Sequence, residues 1–176
     1  MKNILIVSGH TDLNNSVANK KILEELNKRL SNVEIDYLSE LYPDYQIDVK
    51  KEQEKLLKAD IIVLQYPLFW YSMPSLLEKW MEDTFRHGFS HGSTGDKLKN
   101  KKLIASLTTG ASEEVYDDIN IFLNPIKASC KLCQIDYVGS IVTYGVSYQI
   151  RNDKGKEIEE KAVNHANRLI DMINKL

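Results

Sequence analysis

Apolar residues fall along this chain in two alternating patterns. Short runs that are apolar on both faces occur at Asn3–Ser8, at Ile61–Leu64 following Asp60, and at Leu103–Thr109. Such runs suit strands covered by helices on both sides. Val33–Leu38 and a segment within Ile135–Val146 complete a set of five. Between them, apolar residues recur at helical spacing. Ala18, Ile22, Leu26 and Leu30 define a helix over Val17–Leu30, with Ser16 as its N-cap. Val49–Ala59 reads as a short charged helix. Pro74 opens a helix with a broad face of Leu76, Leu77, Trp80, Met81 and Phe85, wide enough to leave part for a partner subunit. Ser112 to about Ser129 reads as mostly helical, bending near Pro125. Glu157–Leu176 closes the chain, with Ile158, Ala162, Ala166, Leu169 and Ile173 on one face. Residues 42–45 and 86–95 read as irregular. Five β-α repeats predict right-handed crossovers and a parallel, doubly wound α/β sheet. The five strands fit the order 2-1-3-4-5, whose switch point lies between strands one and three.

Three loops then open onto one end of the sheet: Gly9–Asn19, Tyr66–Tyr71 and Thr108–Ser112. The first ends at a helix N-terminus, where free N–H groups and the helix dipole favour a phosphate. Asn15, Ser16 and Asn19 add neutral donors there; a plain capped helix start is the competing reading. The loop has one glycine, and it carries neither an ATPase nor a dinucleotide glycine pattern. The second loop sets Tyr66, Phe69, Trp70 and Tyr71 around Pro67, a shape for a flat ligand. In the third, Gly110 lets backbone approach a ligand closely.

Composition narrows the picture. The 176 residues fit one domain, and a net charge of −2 gives no reason to expect nucleic acid. No apolar run approaches the roughly 20 residues of a membrane span. Two cysteines and no signal-peptide pattern suggest a cytoplasmic protein. Cys130-x-x-Cys133 is out of place for a redox pair and reads as two small residues near a helix end. His87 and His91 read as a flexible pocket rim, not a metal pair, and His165 as a solvated flank. Lys97–Lys102 reads as a wet entrance to strand four. No metal site is expected.

Together these stretches resemble the flavodoxin-like NAD(P)H:quinone oxidoreductases, nearest the ancillary oxidoreductases of glutathione-regulated potassium efflux systems. The resemblance is carried by His10 with Ser16-Val-Ala-Asn19, Leu41-Tyr-Pro-Asp44, Ala59-Asp60, Tyr66-Pro-Leu-Phe-Trp-Tyr-Ser-Met-Pro74, Arg86-His-Gly-Phe89 and Thr108-Thr-Gly110. It implies a flavodoxin-like three-layer sandwich forming a single FMN-binding domain over residues 1–176, with FMN ahead of FAD. It also implies a homodimer with sites at the interface. By that pattern His10, Ser16, Val17, Ala18 and Asn19 hold the phosphate and ribityl chain. Leu68, Phe69, Trp70 and Tyr71 line the ring, with backbone N–H groups on its polar edge. Thr108, Thr109, Gly110 and Ala111 close the other side, and Tyr116 is the catalytic tyrosine. Three departures stand out. Ala111 replaces a usual second glycine, Thr11 replaces a common proline, and Asp117–Asn124, just beyond Tyr116, holds no histidine. The implied activity is two-electron, ping-pong hydride transfer from NAD(P)H to a quinone or related acceptor. The alternative is a regulatory subunit of a potassium efflux transporter at the inner face of the membrane. A one-electron flavodoxin carrier fits poorly with a pI of about 6.1.

Overall fold

A computed structural model describes residues 2–176. Five strands, β1 (Ile4–Ser8), β2 (Val33–Tyr37), β3 (Ile61–Pro67), β4 (Lys102–Thr108) and β5 (Asp136–Thr143), form one sheet in the order β2-β1-β3-β4-β5. Every neighbouring pair is parallel. Among the described residues six helices accompany them: α1 (Val17–Arg29), α2 (Leu38–Leu41), α3 (Val49–Lys58), α4 (Ser75–Thr84) and α5 (Asn124–Leu132) between strands, and α6 (Arg151–Asn174) after the last.

The apolar strand runs are explained by burial on both faces. Alternate residues of β1 and β3 enter opposite cores. Leu5, Val7, Ile62 and Leu64 pack with Leu56, Leu77, Trp80 and Ile126 on the α3–α4–α5 side. Ile4, Ile6, Ile61 and Val63 pack with Ile22, Leu26, Ala162 and Leu169 on the α1–α6 side. The broad face of α4 is largely consumed within the chain: Leu76, Leu77 and Trp80 are buried, and Met81 and Phe85 pack partly against the same core.

The structure departs from the reading of the sequence at several points. Between β4 and α5 the chain forms two 3-10 turns, Glu113–Val115 and Ile119–Leu123, in place of a helix. The Asp118 carboxylate accepts the Asn120 N–H at 2.9 Å, a local bond that competes with helix continuation. Pro125 does not bend a helix; it sits in the first turn of α5, where its missing N–H costs nothing. Helix α6 begins at Arg151, six residues early, and is kinked at Lys154, next to Gly155. Strand β5 carries an irregularity opposite Leu103/Ile104, where Gly139 adopts φ +151°, a conformation that suits glycine. The short helix α2 had no signal in the apolar spacing.

One charged cluster lies inside the fold. Glu52 is fully buried and accepts from Tyr42 Oη (2.7 Å), Lys55 Nζ (2.7 Å) and Trp80 Nε1 (2.8 Å). Lys55 also reaches Asp36 Oδ1 at 2.6 Å. Removing one member leaves the others buried without partners. Glu52→Ala is therefore expected to destabilise by about 3–5 kcal/mol in urea denaturation. A loss below about 1 kcal/mol would show that the cluster rearranges at little cost.

Candidate functional site

The loops after β1, β3, β4 and β5 enclose a cleft of about 630 Å³, within the size range of small-molecule sites. Backbone bonds stitch these loops to one another. Leu68 N–H donates to Thr108 O (2.8 Å), Thr109 N–H to Thr143 O (2.9 Å) and Val146 N–H to Thr109 O (3.0 Å). Ties of this kind between strand ends keep the cleft from depending on mobile loop tips.

One end of the cleft is built for an anion. Ser16 caps α1, its Oγ accepting the Asn19 N–H at 3.1 Å. That leaves the first-turn N–H groups of Val17 and Ala18 without intrahelical acceptors. Ser16, Asn15, Val17 and Arg151 all line this end. The rest of the lining includes an apolar set, Pro67, Leu68 and Phe69, together with Gly110. A Cβ on Gly110 would meet only Ser147, at an ordinary 3.6 Å, so the space beside it belongs to the cleft. His10 also lines the cleft, its ring edge-on to Phe69 at 5.9 Å. Its Nδ1 accepts the Asp12 N–H at 3.0 Å. Burial lowers the His10 pKa and Asp12 only partly offsets this, so the ring is neutral near pH 7 and Nε2 carries the proton.

Of the residues singled out from the sequence, His10, Ser16, Val17, Leu68, Phe69, Thr108 and Gly110 line this cleft. Ala18, Asn19 and Thr109 are buried. Asn19 ties the floor together, donating to Thr108 Oγ1 at 3.1 Å and accepting from Gln65 Nε2 at 2.9 Å. Ala111 sits in the neighbouring turn, its carbonyl accepting from Gly145 N–H at 2.8 Å. Trp70, Tyr71 and Tyr116 are not in the cleft lining. Tyr116 joins an aromatic group with Tyr71, Phe122 and Tyr144, at centroid distances of 6.3, 6.1 and 6.0 Å. The N–H groups of Leu68 and Phe69 donate to Thr108 O and Ser72 O.

Trp70 and Tyr71 form a two-residue turn closed by reciprocal Phe69–Ser72 backbone bonds of 3.0 and 2.9 Å. Both have positive φ, +47° and +63°, in positions that ordinarily take asparagine and glycine. Trp70 is 95% exposed, so packing does not compensate its backbone strain. Trp70→Asn is expected to stabilise the cofactor-free protein by about 1 kcal/mol, raising its melting temperature by roughly 2–4 °C. A lower melting temperature would mean that no strain is held there.

Three cleft residues had been missed: Ser147, Tyr148 and Arg151. All follow β5, and the rule that ligands bind at strand C-termini applied to that loop as well. His165 corrects an expectation. It is fully buried, within 2.6 Å of Ser106 Oγ and 2.9 Å of Thr143 Oγ1. It stands three residues after Ala162 and four before Leu169, on the buried face of α6, which the spacing already implied. His87 and His91 meet edge-on at 5.6 Å, and neither lines the cleft, so they do not form its rim. Cys130 and Cys133 are buried near the end of α5; burial pushes the Cys130 thiol up to about 12, which leaves it unreactive.

A family model described as flavodoxin-like fold matches residues 2–169. The chain belongs to this flavodoxin-like family. Its relatives include the glutathione-regulated potassium-efflux system ancillary protein KefF of Enterobacter sp. (strain 638), 39% identical over 140 residues, 77% of this chain and 79% of that protein. General stress protein 14 of Bacillus subtilis (strain 168) is 38% identical over 157 residues, 85% and 89% of the two chains. Among solved structures, general stress protein 14 of Treponema denticola in complex with FMN superposes with a TM-score of 0.86 at 24% identity, covering 97% of this chain and 99% of that one. Solved quinone reductases and azoreductases share the flavodoxin-like fold at lower identity. No helix among the described residues is long and apolar enough to cross a membrane.

Proposed function

We propose that the chain is a single FMN-binding domain acting as an NAD(P)H:quinone oxidoreductase. The observation that carries this reading is the mixed lining of the cleft. Helix-terminal N–H groups, the Ser16 hydroxyl and Arg151 suit a phosphate, while Pro67, Leu68, Phe69 and Gly110 suit a flat ring. Both the donor set and the apolar slot fit FMN. The FMN complex of the Treponema relative, of the same fold, is in keeping with it.

When bound, FMN supplies hydride chemistry, taking two electrons from a nicotinamide and passing them to a quinone. The chain's own residues bind and orient. Ser16, Val17 and Ala18 hold the phosphate through neutral donors, and Arg151 adds its charge. Neutral His10 would offer its Nε2–H to the cofactor as a further donor. Leu68 and Phe69 exclude water from one face of the ring, and Thr108, Thr109, Gly110 and Ala111 bound the other side. Trp70 and Tyr71, exposed in the same loop as Leu68 and Phe69, would supply aromatic surface for the second substrate or for a second copy of the chain. Tyr116, beside Tyr71, is the candidate proton-holding group near the acceptor.

The homodimer belongs to this reading. Exposed Trp70, Tyr71, Val115 and Ile121 occur in loop segments next to the cleft, where a second subunit would cover them. The similarity to KefF supports a further role as ancillary subunit of a potassium efflux transporter, at the cytoplasmic face of the membrane. The enzymatic reading is tested by steady-state kinetics. FMN-loaded protein should oxidise NADH or NADPH only when a quinone is present, with parallel double-reciprocal lines. Intersecting lines, or nicotinamide oxidation indifferent to quinone, would defeat it.

A further inference from the structure

A buried hydrogen-bond chain runs from Arg168 on α6 to the floor of the cleft, and it has a direction. Arg168 Nη2 donates to Thr143 Oγ1 at 2.8 Å; a guanidinium has no acceptor, so the direction is imposed at this end. At the other end, Gln65 Nε2 donates to Asn19 Oδ1 at 2.9 Å, which turns the Gln65 oxygen to Ser106. Ser106 has one proton and gives it to Gln65. Its 2.6 Å contact with His165 Nε2 must then be donated by the imidazole. Burial and the nearby Arg168 charge keep His165 neutral, with a single N–H. Nδ1 therefore accepts from Thr143 at 2.9 Å.

We propose that His165 is a positioning residue: as its Nε2–H tautomer it orients this chain so that the Ser16 and Thr108 hydroxyls turn their protons into the cleft. Ser16 Oγ accepts twice from Asn19, from N–H at 3.1 Å and from Nδ2 at 3.2 Å. Its own proton is then free to meet a ligand oxygen. Thr108 Oγ1 accepts from Asn19 Nδ2 at 3.1 Å, and the only competing use of its proton is a poor 3.4 Å contact with Asn19 Oδ1. The reversed chain would have His165 as Nδ1–H. Thr143 would then accept from both Arg168 and His165, and its own proton would lack an acceptor in the chain. Ser16 and Thr108 would point inward at the Asn19 oxygen, and the cleft would lose two donors. The role of the chain towards the phosphate rests on the FMN reading above; the tautomer does not.

Two measurements decide it. Nitrogen-15 NMR of histidine-labelled wild type should show His165 protonated at Nε2 and bare at Nδ1; a protonated Nδ1 overturns the proposal. Fluorescence titrations should then compare FMN with riboflavin, which lacks the phosphate that Ser16 would meet. His165→Leu is expected to weaken FMN binding about tenfold and riboflavin binding less, while His165→Gln, which keeps an N–H towards Ser106, recovers most of the loss. Equal losses for both ligands, or no recovery in the glutamine variant, would reduce His165 to a packing residue. Should His165→Leu fail to fold, Arg168→Met makes the same FMN-to-riboflavin comparison from the exposed end of the chain. Wild type that binds neither ligand would sink the FMN reading, while the NMR result would still settle the tautomer.

Discussion

Relative to His165→Gln, the wild-type protein should lose stability at about 1.4 kcal/mol per pH unit as the pH falls from 6 to 4. Burial pushes the His165 pKa down to about 3, with the Arg168 charge adding to the effect. The native state refuses a proton that the unfolded chain takes up from about pH 6.5 downward. The stabilisation is therefore complete above that pH and lost as the pH falls towards 3. Other groups titrate in the same window. Burial lowers the His10 pKa as well, while burial and the neighbouring Glu52 raise Asp36 to about 7 against the pull of Lys55. Asp36 acts with the opposite sign, because its protonated form is favoured in the fold and its contribution is lost as pH rises towards 7. The absolute pH profile thus mixes these effects, and the difference between wild type and variant isolates His165. Urea denaturation at half-unit pH steps gives that difference directly. Parallel curves would mean that His165 is protonated without cost, and that Ser106 and Thr143 rearrange around it.

The second large effect concerns Gly110. Gly110→Asp should fold with a melting temperature close to wild type, because a Cβ there meets only Ser147 at 3.6 Å. The same substitution places a carboxylate in the cleft proposed for an anionic cofactor. A charged carboxylate set against the apolar ring site is costly to desolvate and takes up the space the ring would fill, so FMN affinity should fall by about a hundredfold or more. Gly9 provides the contrast. Its Cβ would lie 2.8 Å from the Leu77 side chain, so Gly9→Ala should damage the fold itself. Equal flavin content in purified Gly110→Asp and wild type would place the cofactor elsewhere.

Most of the sheet was legible because β1, β3 and β4 are buried on both faces, and so written as continuous apolar runs. The order of strands followed from β-α alternation and crossover handedness. What escaped was decided by local polar contacts. Asp118 bonding to Asn120 turns an apparent helix into 3-10 turns, and Pro125 starts a helix where it seemed to bend one. His165 was misjudged for its polarity; its place in the spacing of α6 already put it inside. The left-handed turn at Trp70 and Tyr71 could not be read from residue types, since neither is a turn former. The candidate site was legible where it depends on loops after strands one, three and four. It was incomplete where the loop after strand five contributes Ser147, Tyr148 and Arg151, a segment with no motif of its own.

In the proposed function one cleft holds a flavin by its phosphate at the α1 N-terminus and by its ring against Leu68 and Phe69. Titrating purified, flavin-free protein with FMN while following flavin absorbance and fluorescence tests it most directly. Saturable one-to-one binding, tighter for FMN than for riboflavin and lost in Gly110→Asp, is the result expected. Protein that stays colourless and leaves the added FMN spectrum unchanged would contradict it.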